Sequence, residues 1–308
     1  MEVYRISGLT VGSEIALPGL CVETGGSALP DVTIRRAPVP RALAASSAAG
    51  PTWQIAGGQF LLRVPGVARF LLSEGRDIAF ELEPGGEPAD IPVFILGTAF
   101  GILLHQRERI VLHASAVRVN GKAILFCGSS GAGKSTLAAV LAQRGFPLVT
   151  DDVCAITIGS AGTPIVHPDG RQLKLWAQAI ERLELAGSRG ERVRNRLEKF
   201  YVEPGEAFTE ALPLGAVYAL REARPPHAPA IELPNVVDAA LLLRRNAYRP
   251  QLLNRMGQEA GYFHAATAIA NSAGIFQLTR RFDFQAMLEV VSGLEQHWLD
   301  IGLMDKAA

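Results

Sequence analysis

The segment FCGSSGAGKST (126–136) constrains the fold of this chain more than any other stretch. It matches the pattern G-x-x-x-x-G-K-[ST] from Gly128 to Ser135, follows the apolar run AILFC, and opens the run STLAAVLAQRG, which ends at Gly145. Glycines let backbone N–H groups turn inward around phosphate oxygens, and the start of a helix adds a positive field there. The segment therefore predicts a strand, a phosphate-binding loop and a helix in succession.

Within this loop, each residue type has an expected contact with a nucleotide. We expect Lys134 to reach the terminal phosphates of ATP and the hydroxyl of Ser135 to hold Mg²⁺. The predicted nucleotide-binding residues are nine in succession: Gly128, Ser129, Ser130, Gly131, Ala132, Gly133, Lys134, Ser135 and Thr136.

An acidic pair, Asp151 and Asp152, follows Lys134 by 17 and 18 residues, at the end of the next apolar run. The intervening helix returns the chain to the loop, where a carboxylate can hold Mg²⁺ or accept a proton from an attacking hydroxyl. An acidic pair at a strand end can also be a solvated cap. His113, in VLHASAV, could orient an aspartate, although a histidine on an apolar strand is more often a core residue.

The chain has 308 residues, enough for two modest domains. Residues 1–88 contain short alternating runs separated by Gly, Pro and Ser, which predicts a small β-rich N-terminal domain that could engage a peptide. We assign 89–308 to a second, catalytic domain, with a buried apolar helix at 92–107 and a further helix at 174–185. The stretch 41–51 is expected to be a loop.

Composition excludes some classes of partner. Lys and Arg together number 30, as do Asp and Glu, and this balance argues against a nucleic-acid binder. Three cysteines without metal-type spacing indicate a reduced, cytoplasmic protein. We identify no signal peptide and no membrane span, since the apolar run at 92–104 is too short and is followed by charges.

Two stretches, LHASAVRVNGKAILFCGSSGAGKST and RGFPLVTDD, together resemble the catalytic domain of bacterial HPr kinase/phosphorylase. The resemblance implies an α/β P-loop kinase core of HPr-kinase-like type and Mg-ATP-dependent phosphorylation of a serine in a small protein. It implies Asp151 as the catalytic base, supported by His113, with Lys134 completing the catalytic set. Ser135 and Asp152 are then expected to hold Mg²⁺. The family's downstream E-[IV]-R-G stretch is replaced here by HPDGRQLKLWAQAIERL, which puts the reverse, phosphorolytic reaction in doubt.

A closer resemblance is to the HPr-kinase-like kinases of some lasso peptide gene clusters. It rests on HASAV (113–117), LKLW (173–176) and EKFY (198–201). It implies phosphorylation of the C-terminal serine of a lasso-type precursor peptide in ribosomal peptide (RiPP) biosynthesis.

The sequence therefore predicts a Mg-ATP-dependent serine kinase acting on a lasso precursor peptide. The alternatives are a kinase acting on HPr or another small protein, a small-molecule kinase or an enzyme akin to phosphoenolpyruvate carboxykinase, and a catalytically silent ATP-binding switch. A homo-oligomer stays open. A cation must stabilise the transferred phosphoryl group, and five candidates are each more often a surface charge: Arg171, Lys174, Arg244, Arg245 and Arg249.

Overall fold

The computed structural model describes residues 1–23, 29–170, 172–193, 198–203 and 208–305. The described residues form the strands β1 Glu2–Ile6, β2 Leu9–Ser13, β3 Val32–Arg36, β4 Ala48–Gly50, β5 Trp53–Ala56, β6 Gln59–Val64, β7 Ala68–Ser73, β8 Asp77–Leu82, β9 Ile110–Leu112, β10 Ala114–Val119, β11 Lys122–Cys127, β12 Leu148–Asp151, β13 Cys154–Ile158, β14 Pro164–His167, β15 Leu173–Trp176, β16 Arg189–Arg192, β17 Lys199–Val202, β18 Leu212–Glu222, β19 Ala230–Glu232 and β20 Ile275–Arg280. The α-helices are α1 Ile91–Phe94, α2 Phe100–Gln106, α3 Lys134–Gln143, α4 Ala177–Arg182, α5 Val236–Arg245, α6 Glu259–Ser272 and α7 Met287–Asp300.

The first 82 residues build one eight-stranded sheet, in the order β1-β2-β3-β8-β7-β6-β5-β4. Strands β5 to β8 form a meander of antiparallel pairs, as the alternating runs predict. The expected loop at 41–51 is wrong in one detail, because β4 lies within it and pairs with β5. The prediction of a β-rich N-terminal region is confirmed.

The apolar helix predicted at 92–107 is present as α1, a π-helical turn at Ile95–Ala99, and α2. Its side chains are apolar nearly all round and pack against the eight-stranded sheet in one core. Together with the turn before it, Pro88–Gln106 is long and apolar enough to cross a membrane by length and composition, but 67% of its most apolar window is buried within the fold. Such burial is typical of a core helix.

A second sheet places the predicted site at one of its edges. The strand order is β12-β10-β11-β18-β14-β13-β9, and β20 lies along the other part of β18. Strands β11 and β20 each pair in parallel with β18, whereas β10 pairs with β11 through a turn at Asn120-Gly121, a dipeptide that favours hairpins. Because carboxyl ends of parallel strands meet at one edge, the residues following β11 and β20 lie close together.

Two helix boundaries differ from the sequence prediction. Residues 173–176 form β15, which pairs with β17 in a three-stranded sheet, so the helix expected from 174 is reduced to α4. The backbone pairing overrides the helical periodicity, because β15 is held by a neighbouring strand. The run DFQAMLEVVSGLEQHWL predicts a C-terminal helix capped by Asp283. The helix begins instead at Met287, and the carboxylate of Asp283 accepts from the N–H of Gln285 in a preceding turn.

Candidate active site

The glycine loop, Gly128–Thr136, leads from β11 into α3. Gly131 and Gly133 have φ of 84° and 79°, a left-handed backbone that favours glycine. Gly133 also has no room for a side chain, since an ideal Cβ there would lie 2.6 Å from Nη2 of Arg280. The loop is therefore fixed by backbone conformation and by a close neighbour from β20.

Lys134 is the first residue of α3, and its side chain folds over the loop. Its ammonium donates to the carbonyls of Gly128, at 2.8 Å, and Ser129, at 3.0 Å. Burial lowers the pKa of Lys134, with the nearby charge of Asp151 opposing that effect. Lys134 therefore lies buried beside the loop, with its charge directed at loop oxygens.

Asp151 ends β12 and is almost fully buried, with 2% of its surface exposed. Its Oδ1 accepts from the hydroxyls of Ser115, at 2.5 Å, and Ser135, at 2.8 Å, while Oδ2 accepts from the backbone N–H of Lys174 at 3.2 Å. These donors come from β10, α3 and β15. Because both of its oxygens are engaged, Asp151 is fixed in place and joined directly to the hydroxyl of the glycine loop.

Asp152 has a different environment from Asp151. Its φ is 81°, a left-handed backbone that is uncommon outside glycine, and its side chain is 29% exposed. Oδ1 lies 3.2 Å from Nδ1 of His113, and Oδ2 lies 3.4 Å from the ammonium of Lys174. The same Nδ1 of His113 lies 3.0 Å from the carbonyl oxygen of Asp152. Since both facing oxygens are acceptors, Nδ1 carries the proton and donates it.

We call this group the acidic end of the site: His113, Ser115, Ser135, Asp151, Asp152 and Lys174. Lys174 joins it through two different groups, its backbone N–H to Asp151 and its ammonium to Asp152. The side chain of Lys174 is nearly buried. A buried ammonium requires a nearby anion to compensate its charge, and the partly exposed carboxylate of Asp152 supplies that anion.

The acidic end opens into a cavity of about 510 Å³ that continues along the glycine loop. Its far wall comes from the segment between β20 and α7. We call Arg280, Phe282 and Phe284 the aromatic end. Arg280 donates to the carbonyl of Ala132 at 2.5 Å, and its guanidinium lies 5.6 Å from the ring centre of Phe282. Burial lowers the pKa of Arg280.

The structure brings most of the sequence-predicted residues together around this cavity. His113, Lys134, Ser135, Asp151 and Asp152 all line it. Two contacts differ from the roles that the resemblance implies. The hydroxyl of Ser135 contacts Asp151, whereas the resemblance implies Asp152 as its partner in holding Mg²⁺. His113 contacts Asp152, whereas the resemblance implies that it supports Asp151. The buried hydrogen bonds of Asp151 account for both differences.

Of the five candidate cations, only Lys174 lies in the cavity among the described residues. Arg244 pairs with Glu259, Arg249 donates to Thr98, and Arg245 is exposed on α5, all away from the cavity. Arg171 lies outside the described residues. The sequence reasoning did not select Arg280, although its position at the end of an apolar strand was visible. What it lacked was the order of the strands.

Cys127 ends β11 immediately before the glycine loop. Burial raises the pKa of its thiol to about 12. A thiolate is the reactive form of cysteine, so Cys127 acts as a core side chain and does not contribute a nucleophile.

Known proteins share sequence similarity with the segment that carries most of this site. Residues 105–167 match the model of the family described as the HPr Serine kinase C-terminal domain. The matched segment contains His113, the glycine loop and both aspartates. This segment of the chain is therefore similar to the HPr Serine kinase C-terminal domain. The match ends before Lys174 and the aromatic end.

Individual relatives agree with the family match. An HPr kinase/phosphorylase of Limosilactobacillus reuteri is 34% identical over 98 residues, which is 29% of this chain and 31% of that protein. One from Lactobacillus delbrueckii subsp. bulgaricus is 33% identical over 91 residues, or 27% and 29% of the two chains. The chain thus spans about 30% of the length of the curated relatives it matches.

One solved structure, the HPr(Ser) kinase/phosphatase from Coxiella burnetii, covers 62% of this chain and 98% of its own, at 13% identity and a TM-score of 0.33. This superposition is too loose to support a statement about the fold.

Proposed function

We propose that this protein is a Mg-ATP-dependent kinase that transfers the γ-phosphoryl group of ATP to a serine hydroxyl of a peptide or small protein. The observation that carries the proposal is the acidic end. The hydroxyl of Ser135 in the glycine loop is hydrogen-bonded to the buried Asp151. The neighbouring Asp152 is accessible from the cavity and lies between His113 and Lys174. The HPr-kinase-like family supports the same class of reaction.

Magnesium fits the donor set at Ser135 and Asp151. Mg²⁺ prefers oxygen ligands and is commonly held by one or two carboxylates together with nucleotide phosphates. Ser135 offers a hydroxyl and Asp151 a carboxylate that are 2.8 Å apart. No cluster of three or more His, Cys, Asp or Glu side chains suited to a metal occurs in the described part of the chain. Bound there, Mg²⁺ would neutralise charge on the phosphates.

Asp152 suits the role of proton acceptor better than Asp151. A base must be within hydrogen-bond reach of the hydroxyl that it deprotonates. Asp151 is buried and accepts three hydrogen bonds, which leaves it unable to turn toward an incoming substrate. Asp152 lines the cavity, is partly exposed, and is oriented by the Nδ1–H of His113. We therefore assign the proton to Asp152, with His113 as a positioning residue.

Positive charge in the cavity comes from two lysines, one at the glycine loop and one beside Asp152. Lys134 lies over the glycine loop, where it would contact the β- and γ-phosphates. Lys174 lies beside Asp152, where its ammonium would offset charge that develops on the transferred phosphoryl group.

The favoured acceptor is the C-terminal serine of a lasso-type precursor peptide, and HPr or another small protein is the second candidate. The lasso assignment is supported by the segments LKLW and EKFY. Their strands, β15 and β17, pair with each other and bring Lys174 to the aspartates. The HPr candidate is supported by the names of the relatives, which are HPr kinase/phosphorylases.

The test is to incubate the purified protein with Mg-ATP and each candidate acceptor, and to read the acceptor by mass spectrometry. A gain of about 80 Da on a serine identifies a kinase and its substrate class. The variant Lys134→Met is the inactive control. ATP consumption without a phosphorylated acceptor would mean that both acceptors are wrong. Bound ATP with neither transfer nor hydrolysis would overturn the kinase proposal in favour of a nucleotide-binding switch.

A further inference from the structure

The aromatic end carries exposed apolar rings next to a loop that is expected to bind phosphate. Phe282 is 58% exposed, although it lies in the cavity. Its Cε2 would be 3.6 Å from an ideal Cβ on Gly133, so its ring lies directly against the backbone of the glycine loop. Exposed aromatic rings at the wall of a ligand cavity commonly serve as stacking platforms.

Arg280 contacts both the ring of Phe282 and the glycine loop. Only 3% of its surface is exposed, its Nε has no hydrogen-bond partner among the described residues, and its Nη2 donates to the carbonyl of Ala132. Within the described structure this guanidinium contacts carbonyl oxygens and the ring of Phe282, and it has no salt bridge to a carboxylate, although the charge of Glu222 acts on it at longer range. A buried cation without a paired anion favours an anionic ligand nearby.

The orientation of a bound nucleotide in the cavity follows from the positions of the acidic end and the aromatic end. In a loop of this type, the hydroxyl of the Ser after the lysine is associated with Mg²⁺ and the terminal phosphates, and the glycine backbone contacts the phosphates nearer the sugar. Ser135 faces Asp151 at the acidic end. Ala132 and Gly133 face Arg280 and Phe282. The sugar and base would therefore leave the loop toward the aromatic end.

We infer that Phe282 forms the base-binding subsite for a nucleoside triphosphate, with the base stacked on its exposed ring and Arg280 holding the ring against the glycine loop. This inference rests on the proposed function for the presence of a nucleotide, and adds where its base is bound. The subsite acts through stacking, and every base has a face that can stack.

A competing platform exists in the same cavity. Trp176, on β15, is 51% exposed. Its ring already has the ammonium of Lys199 at 5.9 Å from its centre, and it is two residues from Lys174, on the strand that contacts the aspartates. This places Trp176 on the element that supplies the acidic end, where the acceptor hydroxyl must come. Phe282 is thus the better platform for the base.

The test compares calorimetric binding of Mg-ATP with that of Mg-tripolyphosphate, which has the phosphates and no base. Phe282→Ala is expected to weaken Mg-ATP about tenfold and to leave tripolyphosphate unchanged within twofold. Phe282→Trp should restore ATP affinity. The matched control is Phe263→Ala, which removes a ring of comparable exposure, 67% against 58%, from α6, outside the cavity.

The result that overturns the inference is an unchanged ATP affinity in Phe282→Ala, or a tenfold loss that appears in Trp176→Ala instead. An equal loss of ATP and tripolyphosphate would also contradict it, because the ring would then support the loop and not the base. Binding is measured without an acceptor. A protein that binds ATP as expected but transfers no phosphoryl group would therefore refute the proposed kinase activity and still support the base-binding subsite at Phe282. Absence of any ATP binding would refute both.

Discussion

The two ends of the cavity are built in opposite ways. The acidic end is assembled from four elements, β10, β12, α3 and β15, and its central carboxylate accepts hydrogen bonds from three donors. The aromatic end comes from one segment that begins at the last residue of β20, and the exposed ring of Phe282 makes a cation–π contact in place of hydrogen bonds. Directional contacts fix groups to within a fraction of an ångström, whereas stacking tolerates sliding.

This difference indicates a division of work between chemistry and binding. Phosphoryl transfer requires precise placement of charge and of the proton acceptor. Binding of a base requires mainly contact area. We therefore expect substitutions at the acidic end to lower kcat and substitutions at the aromatic end to raise KM for ATP. Four variants test this expectation, in order of decreasing effect.

Lys134 lies at the glycine loop, between the acidic end and the aromatic end of the cavity. Its loss should therefore affect both ATP binding and phosphoryl transfer. Lys134→Met is expected to lower the transfer rate by about a thousandfold, because no other described side chain places an ammonium on the loop oxygens. Phosphorylation kinetics of the preferred acceptor measure this. Lys122→Met, at the exposed start of β11, is the matched control and should retain full activity. Substantial activity in Lys134→Met would separate this loop from phosphate binding.

Lys174 should affect only the acidic end. Lys174→Met is expected to lower kcat about a hundredfold while KM for ATP stays within twofold, because its ammonium contacts Asp152 and lies away from the aromatic end. Steady-state kinetics with varied ATP give both values. A rise in KM with unchanged kcat would place Lys174 in nucleotide binding and blur the division between the two ends.

His113 is a positioning residue, and its effect should be smaller. His113→Ala is expected to lower kcat about tenfold, because Asp152 then loses one of the donors that orient it. His113→Asn, whose amide can donate from nearly the same place as Nδ1, should recover most of the activity. Equal losses in both variants would show that the imidazole has a role beyond this hydrogen bond.

A substitution of Arg182, which contacts the aromatic end, is expected to produce the smallest change in the kinetic constants. Its guanidinium lies 5.1 Å from the ring centre of Phe284, and the side chain is exposed. An exposed cation–π contact contributes about 0.5–1 kcal/mol. Arg182→Ala should raise KM for ATP about threefold at most and leave kcat unchanged. A large loss of kcat would mean that Arg182 contacts the transferred group or the acceptor.

The sequence predicted five of the six residues of the acidic end, all except Ser115, but it did not predict which of them contact each other. The spacing from Lys134 to Asp151 was enough to bring the next strand beside the loop. Which of two adjacent aspartates turns inward depends on backbone conformation at Asp152 and on donors from β10 and β15. Those strands reach the site through sheet order, which local patterns do not encode.

The aromatic end could not be predicted, for a related reason. Its ring follows a strand nearly 150 residues after the loop, and only the parallel arrangement of β11, β18 and β20 brings the two together. Phe282 alone resembles an ordinary surface residue. The prediction of a helix at 174–185 was wrong at its start for the same reason, since β15 forms by pairing with the distant strand β17.

The most direct test of this account compares Asp151→Asn with Asp152→Asn, by calorimetry with Mg-ATP and by single-turnover transfer. Asp152→Asn should lower transfer about a thousandfold with Mg-ATP affinity unchanged, because only the proton acceptor is lost. Asp151→Asn should weaken Mg-ATP binding and make the remaining affinity nearly independent of Mg²⁺. The reverse pattern, with transfer lost and binding intact in Asp151→Asn while Asp152→Asn loses metal dependence, would contradict the assignment and return the base to Asp151.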